Sequence, residues 1–173
     1  MIYLTNGLLN KQYTQLDDLP DFSHLVKATR VPQEALNMTD EQLAEYKSSS
    51  VTYALYGAVN GRQRRDDVLN RTVLFIDVDD ESDYQTLSDR LANMFTAFGI
   101  NFVIYPTISN GIKNGARMRI GVELDKAVEL TAYRKIWLVI THQLHVKGDI
   151  TAINSSFKQI TRFVCEYVSE RFK

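Results

Sequence analysis

The run Val73-Leu74-Phe75-Ile76-Asp77-Val78 constrains this chain more than any other stretch. A near-continuous apolar strand must be covered on both faces, which makes it a central strand of a sheet. The pattern around it is regular. Tyr84, Leu87, Leu91, Met94, Phe95 and Phe98 recur at helical spacing, and Gly99 supplies the stop. Phe102 to Tyr105 reads as a second strand, residues 109–115 as a polar connection with two glycines, and Arg117 to Leu124 as a third strand. Tyr133, Ile136, Trp137, Ile140 and Leu144 mark a second helix. Lys147 to Ala152 predicts a short fourth strand, and residues from Phe157 onward read as helical.

Residues 71–152 therefore follow the order β-α-β-β-α-β, the split βαβ or ferredoxin-like arrangement. Right-handed crossovers put the third strand between the first and second, and the fourth on the other side of the first. Ahead of this core, Thr39-Asp40-Glu41-Gln42 is a capping box opening a helix that ends near Lys47. Val51 to Tyr56 reads as a strand, and Asn60-Gly61 as a turn. Residues 1–38 are weakly patterned. The expected class is α+β, with a small N-terminal α/β module over residues 1–70 packed on a core over 71–173.

A chain of 173 residues suits one domain or two tightly joined modules. Its one cysteine, Cys165, excludes an internal disulfide framework and fits a reducing, cytoplasmic setting; it reads as a packed thiol. Met1 to Asn6 lacks a basic region followed by an apolar run, so no signal peptide is expected. No apolar run approaches 18 residues, so no membrane partner is expected.

The first strand ends Asp77-Val78-Asp79-Asp80. Asp77 and Asp79 share one face, with Cα atoms about 6.6 Å apart, while Ile76 and Val78 face the helices. Two such carboxylates at 4 Å repel by about 4 kcal/mol at an effective dielectric of 20. A divalent cation removes that cost, and hard oxygens suit Mg²⁺ or Mn²⁺. Asp149, on the expected fourth strand, lands beside the first. Three carboxylates on adjacent strands fit a two-metal phosphoryl-transfer site. A D-x-D alone is commonly a solvated strand end or a helix cap, and Asp80, Glu81 and Asp83 read as acids at the next helix N-terminus.

Arg117 and Arg119 also share a face by period two. On the Asp77/Asp79 face they would meet phosphate oxygens; the simpler reading is cross-strand pairing with those aspartates. The loop Ser109 to Gly115, with Lys113 and backbone N–H groups, suits a triphosphate but is also an ordinary hairpin connection. Arg62, Arg64 and Arg65, flanked by Tyr53 and Tyr56, could track a nucleic-acid backbone with stacking support, or form a solvated turn balanced by Asp66-Asp67. His142 and His145 lack further metal-ligand neighbours and read as capping or surface residues. There is no His-x-His nickase motif and no P-loop, so the chain carries no helicase motor.

Arg71 to Asp80 resembles the first metal motif of archaeo-eukaryotic-type primases, the primase-polymerase domains of bacterial plasmids, phages and related mobile elements. Tyr105-Pro106-Thr107-Ile108-Ser109-Asn110, followed by Arg117-Met118-Arg119-Ile120 and Leu124-Asp125-Lys126, resembles their nucleotide-binding region. Gly148-Asp149, followed by Phe157 to Arg162, is similar to their third region. The resemblance covers roughly residues 50–163 with three ordered motifs. It implies an RRM-like catalytic core with Asp77, Asp79 and Asp149 as catalytic metal ligands for Mg²⁺ or Mn²⁺. It implies primer synthesis from nucleoside triphosphates on single-stranded DNA, in DNA replication alongside a replicative helicase, fused or separate. Ser109, Asn110, Lys113, Arg117, Arg119, Gln159 and Arg162 would hold the nucleotide, the last two closing over it. Asn110 stands where many members carry a His that contacts the triphosphate, so the cation there would come from Arg117, Arg119 or Lys113. Larger members continue into a helicase, whereas this chain reads as a domain or a small stand-alone primase. The competing classes are a weak or inactive RRM-like module that binds single-stranded DNA or a replication partner, and a metal-dependent nuclease.

The net charge of -1 conceals segregation. Asp77, Asp79, Asp80, Glu81, Asp83 and Asp89 form an acidic block, and Lys113, Arg117 and Arg119 a basic one. Near-neutrality excludes only a protein that grips duplex DNA by bulk charge. It predicts weak nucleic-acid affinity that depends on metal, nucleotide or a partner.

Overall fold

The computed structural model describes residues 1–16, 22, 30–31, 37–61, 67–154, 157–159, 162–163 and 169–171. In chain order the elements are β1 (Ile2–Asn6), β2 (Thr14–Leu16), β3 (Arg30–Val31), α1 (Asp40–Ser49), β4 (Thr52–Asn60), β5 (Asp67–Glu81), α2 (Tyr84–Ala97), β6 (Phe102–Pro106), β7 (Ala116–Val128) and α3 (Leu130–Leu144). A 3-10 helix (Ile150–Asn154) and the short strands β8 (Lys158–Gln159), β9 (Arg162–Phe163) and β10 (Ser169–Arg171) follow. The chain is α+β. No helix among the described residues is long and apolar enough to cross a membrane.

One antiparallel sheet runs in the order β10-β6-β7-β5-β4-β1-β2, with β8 added beside β4. β5 is central, and β7 lies between β5 and β6 as the topology argument requires. β5 spans the expected module boundary at residue 70, and β1 and β4 belong to the same sheet.

β5 is long because its two faces solve two packing problems. Leu74, Ile76 and Val78 point to α2 and α3, where they meet Leu91, Phe95, Tyr133 and Trp137. Val73 and Phe75 point the other way, into a cluster with Ile2, Ala54, Tyr56 and Tyr105. Asp77 and Asp79 continue that second face by period two. The same alternation puts Met118 and Ile120 of β7 in the helix-side core.

The caps follow the sequence. Thr39 and Gln42 form the capping box of α1. Asp83 caps α2, its carboxylate accepting from the Gln85 and Thr86 N–H groups. His145 closes α3 in a left-handed conformation, and His142 and His145 are both exposed.

Two expectations are corrected. Residues 147–152 do not form the fourth strand of a split βαβ. Gly148 makes a single bridge to Val78, and the chain then turns into the 3-10 helix. Asp149 drives that turn: its Oδ1 accepts from the Thr151 N–H at 2.8 Å and from Thr151 Oγ1 at 2.7 Å, a local bond that competes with extended structure. The described residues after Phe157 are also not helical but lie in β8, β9 and β10.

Side chains fill the place of the missing strand. β4 pairs with β5 only as far as Arg71, because past Gly57 its edge turns to β8 instead. A Cβ on Gly57 would lie 2.0 Å from the Asn70 carbonyl oxygen, and the residue sits at φ +150°. Beyond it, the Phe75 N–H donates to the Tyr133 hydroxyl at 2.9 Å, and Trp137 Nε1 donates to the Phe75 carbonyl at 3.1 Å. The Asp149 N–H donates to the Asp77 carbonyl at 2.8 Å. These bonds satisfy the Phe75 N–H and the Phe75 and Asp77 carbonyls without a neighbouring strand.

Candidate active site

Adjacent strands give this site its charge pattern. Asp77 on β5 stands opposite Arg119 on β7 in the sheet register. Its Oδ1 accepts from Arg119 Nε, and its Oδ2 pairs with Lys158 Nζ at 3.0 Å. All three residues are buried. Burial alone would raise the Asp77 carboxyl, but Arg119 and Lys158 overcome it and hold the group down to about 2. Burial likewise works against the Arg119 charge, and Asp77 reverses it, leaving that guanidinium above its ordinary value. Lys158 is depressed, chiefly by burial and only partly offset by Asp77. Its ammonium also donates to the Ala152 carbonyl at 2.5 Å.

Asp79, one turn of the pleat further on, is nearly half exposed and pairs with Arg117 Nη1 at 2.9 Å. Asp149 comes beside β5 as expected, through the 3-10 turn rather than a strand. The three carboxylates line one open cleft of about 330 Å³ with Lys47, Thr107, Ser109, Lys113, Arg117 and Arg119.

The cationic wall is crowded. Lys47, at the end of α1, donates to Ser109 Oγ at 2.6 Å. Its ammonium is depressed first by burial and then by Lys113, Arg119 and Arg117, with Asp79 opposing. Arg117 Nε is buried and has no hydrogen-bond partner among the described residues. Cations held this close form a surface of positive potential that suits an anion.

The loop before β7 works differently from the expectation. Asn110 Oδ1 accepts from the Arg117 N–H at 2.8 Å, so this side chain braces the hairpin and does not line the cleft. The Ile112 and Lys113 N–H groups donate to the Ser109 carbonyl and are spent inside the loop. Ser109 and Lys113 do reach the cleft. Tyr53 and Tyr56 are buried, the Tyr56 ring packed at a tilt against Phe75, so neither can support bases at the surface. Arg62, Arg64, Arg65 and Cys165 lie outside the described residues, as do the side chains of Gln159 and Arg162, whose backbones lie in β8 and β9.

Lys158 and Lys47 escaped the sequence reading. Lys158 adjoins Gln159, but nothing local says that it turns inward to a carboxylate 81 residues away. Lys47 was visible only as a basic residue in the last turn of a helix, a position that usually serves the dipole.

The donor set bears on a divalent ion. Both Asp77 oxygens are committed to cations. Asp79 and Asp149 each use Oδ1, and neither Oδ2 takes a hydrogen bond among the described residues. No three His, Cys, Asp or Glu side chains among the described residues form a ligand group. Asp79 and Asp149 are hard oxygen donors of the kind that suits Mg²⁺ or Mn²⁺, ions that commonly take one or two protein carboxylates and complete their shells with water.

No family model matches this chain, and no curated protein matches it. Among solved structures, it is similar to the AEP domain of the cyanophage S-2L primase-polymerase, at 13% sequence identity and a TM-score of 0.42, over 83% of this chain and 75% of that one.

Proposed function

We propose that this chain is a primase-polymerase-type nucleotidyltransferase domain that takes a nucleoside triphosphate in the cleft over the shared face of β5 and β7. The observation that carries the reading is the meeting of Asp77, Asp79 and Asp149 with Lys47, Ser109, Lys113, Arg117 and Arg119 in one cleft. Lys47, Lys113 and Arg117 would receive the phosphates. Asp79 and Asp149 would hold Mg²⁺ or Mn²⁺. The ion supplies charge neutralisation at the reacting phosphate when bound. Asp77 acts from behind. Ionised at neutral pH, it fixes the Arg119 guanidinium at the cleft wall, where preorganised positive charge costs no rearrangement during reaction. Single-stranded DNA as template, and a helicase acting beside the domain in replication, belong to the same reading.

The test is primer synthesis on single-stranded DNA with nucleoside or deoxynucleoside triphosphates and Mn²⁺. The wild type makes product, and Asp79→Ala abolishes it. Retention of wild-type synthesis by Asp79→Ala removes the assignment. The commitment of Asp77 to two cations favours one second reading, a module that binds phosphates without chemistry. In that case triphosphate binding survives while synthesis is absent from the wild type as well.

A further inference from the structure

We propose that Lys158 is a resident cation at Asp77, so that the cleft takes one divalent ion, at Asp79 and Asp149, rather than two sharing Asp77. This rests on the reading of the cleft as a triphosphate site.

Three observations carry it. Both Asp77 oxygens are already bonded to positive nitrogens, Arg119 Nε on one side and Lys158 Nζ on the other. The Lys158 side chain is 5% exposed and its ammonium is also fixed on the Ala152 carbonyl, while its backbone is tied into β8 against Ala54 of β4. Arg119 stands opposite Asp77 in the strand register. A divalent ion ligated by Asp77 would approach its oxygens to about 2.1 Å, inside the space these two cations occupy. It would have to drive a buried ammonium out of a hydrogen-bonded position or sit unshielded beside it. Asp79 differs. It is 47% exposed, and among the described residues its one ion pair is with Arg117. The ammonium thus supplies a single fixed charge where a second metal would otherwise balance Asp77, and leaves the exchangeable ion to the outer pair of carboxylates.

The experiment counts ions. The free Mn²⁺ signal in electron paramagnetic resonance is followed while Mn²⁺ is titrated into the full chain with a non-hydrolysable deoxynucleoside triphosphate, and nucleotide occupancy is measured separately with a fluorescent triphosphate. The expected result is one Mn²⁺ per chain. Asp79→Asn weakens that ion at least tenfold, and Lys158→Arg keeps the count at one. Lys158→Gln raises the count to two or tightens Mn²⁺ at least tenfold. Two ions, or none, in the nucleotide-bound wild type overturns the inference while leaving the triphosphate reading standing. Failure of the triphosphate to bind overturns that reading, and this inference with it. The wild-type count decides the matter even if Lys158→Gln does not fold.

Discussion

Replacing Asp77 by Asn keeps the shape of the side chain and removes its charge. The structure sets the size of the effect from two directions. Arg119 and Lys158 overcome the burial penalty and hold the Asp77 carboxyl at about 2 against an ordinary value of 3.8. At ~1.4 kcal/mol per pH unit, that gap amounts to about 2 kcal/mol of stability. Asn does more than a proton would, because it leaves two buried cations without their anion. Breaking a buried pair from one side costs about 3–5 kcal/mol. With a urea dependence of ~2 kcal/mol per molar, the unfolding midpoint falls by about 1.5–2.5 M. Trp137, the only tryptophan, reports directly, since its indole N–H is bonded to the Phe75 carbonyl two residues from Asp77. The sign in pH is fixed as well. A carboxyl depressed in the folded state stabilises above its unfolded value and loses that contribution as pH falls towards the folded one. Wild-type stability therefore drops between about pH 4 and pH 2 by an amount that Asp77→Asn lacks. A midpoint loss under about 0.5 M at neutral pH, or equal acid sensitivity of the two proteins across that window, would refute the reasoning.

Two further outcomes test the edge of β5. Tyr133→Phe removes the acceptor of the buried Phe75 N–H and costs about 1–3 kcal/mol; amide exchange at Phe75 should accelerate while the β5–β7 amides of Ile76 and Val78 keep their protection. Gly148→Ala puts a methyl 2.6 Å and 2.9 Å from two Trp137 ring carbons and 3.1 Å from Ile76 Cγ2. It should cost about 1–3 kcal/mol and alter the near-ultraviolet circular dichroism of Trp137, and an unchanged spectrum with unchanged stability would contradict the packing.

The legible parts of this fold are those written in periodicity. Alternation along residues 73–79 separates a helix-facing set from a set that begins apolar and ends acidic, and both positions hold in three dimensions. Helical spacing located α2 and α3, and the capping box located α1. Asp149 shows where this stops. Its place beside β5 followed from topology, but its element did not, because a side chain bonding to its own backbone neighbours outcompetes a strand at short range. Tyr53 and Tyr56 mislead for a related reason: aromatic residues near arginines look like a binding surface until a second layer covers the strand. Lys158 was illegible because a buried lysine is specified by its partner, and that partner lies far away in the chain.

That distance has a consequence for the order in which the molecule can form. Lys158 meets Asp77 across 81 residues, and Arg71 Nη1 reaches the Ile153 carbonyl across 82. Closing loops of that length is entropically slow, and contacts of such sequence separation come late. The β5–β7 pairing, with Arg119 already opposite Asp77, needs no residue beyond Val128. A nascent chain could thus build the sheet and bury Asp77 with one cation, then wait for the segment after α3 to arrive. On a ribosome, which adds about 5–20 residues per second, that interval lasts a few seconds and leaves the second oxygen of Asp77 open to solvent and to other ions.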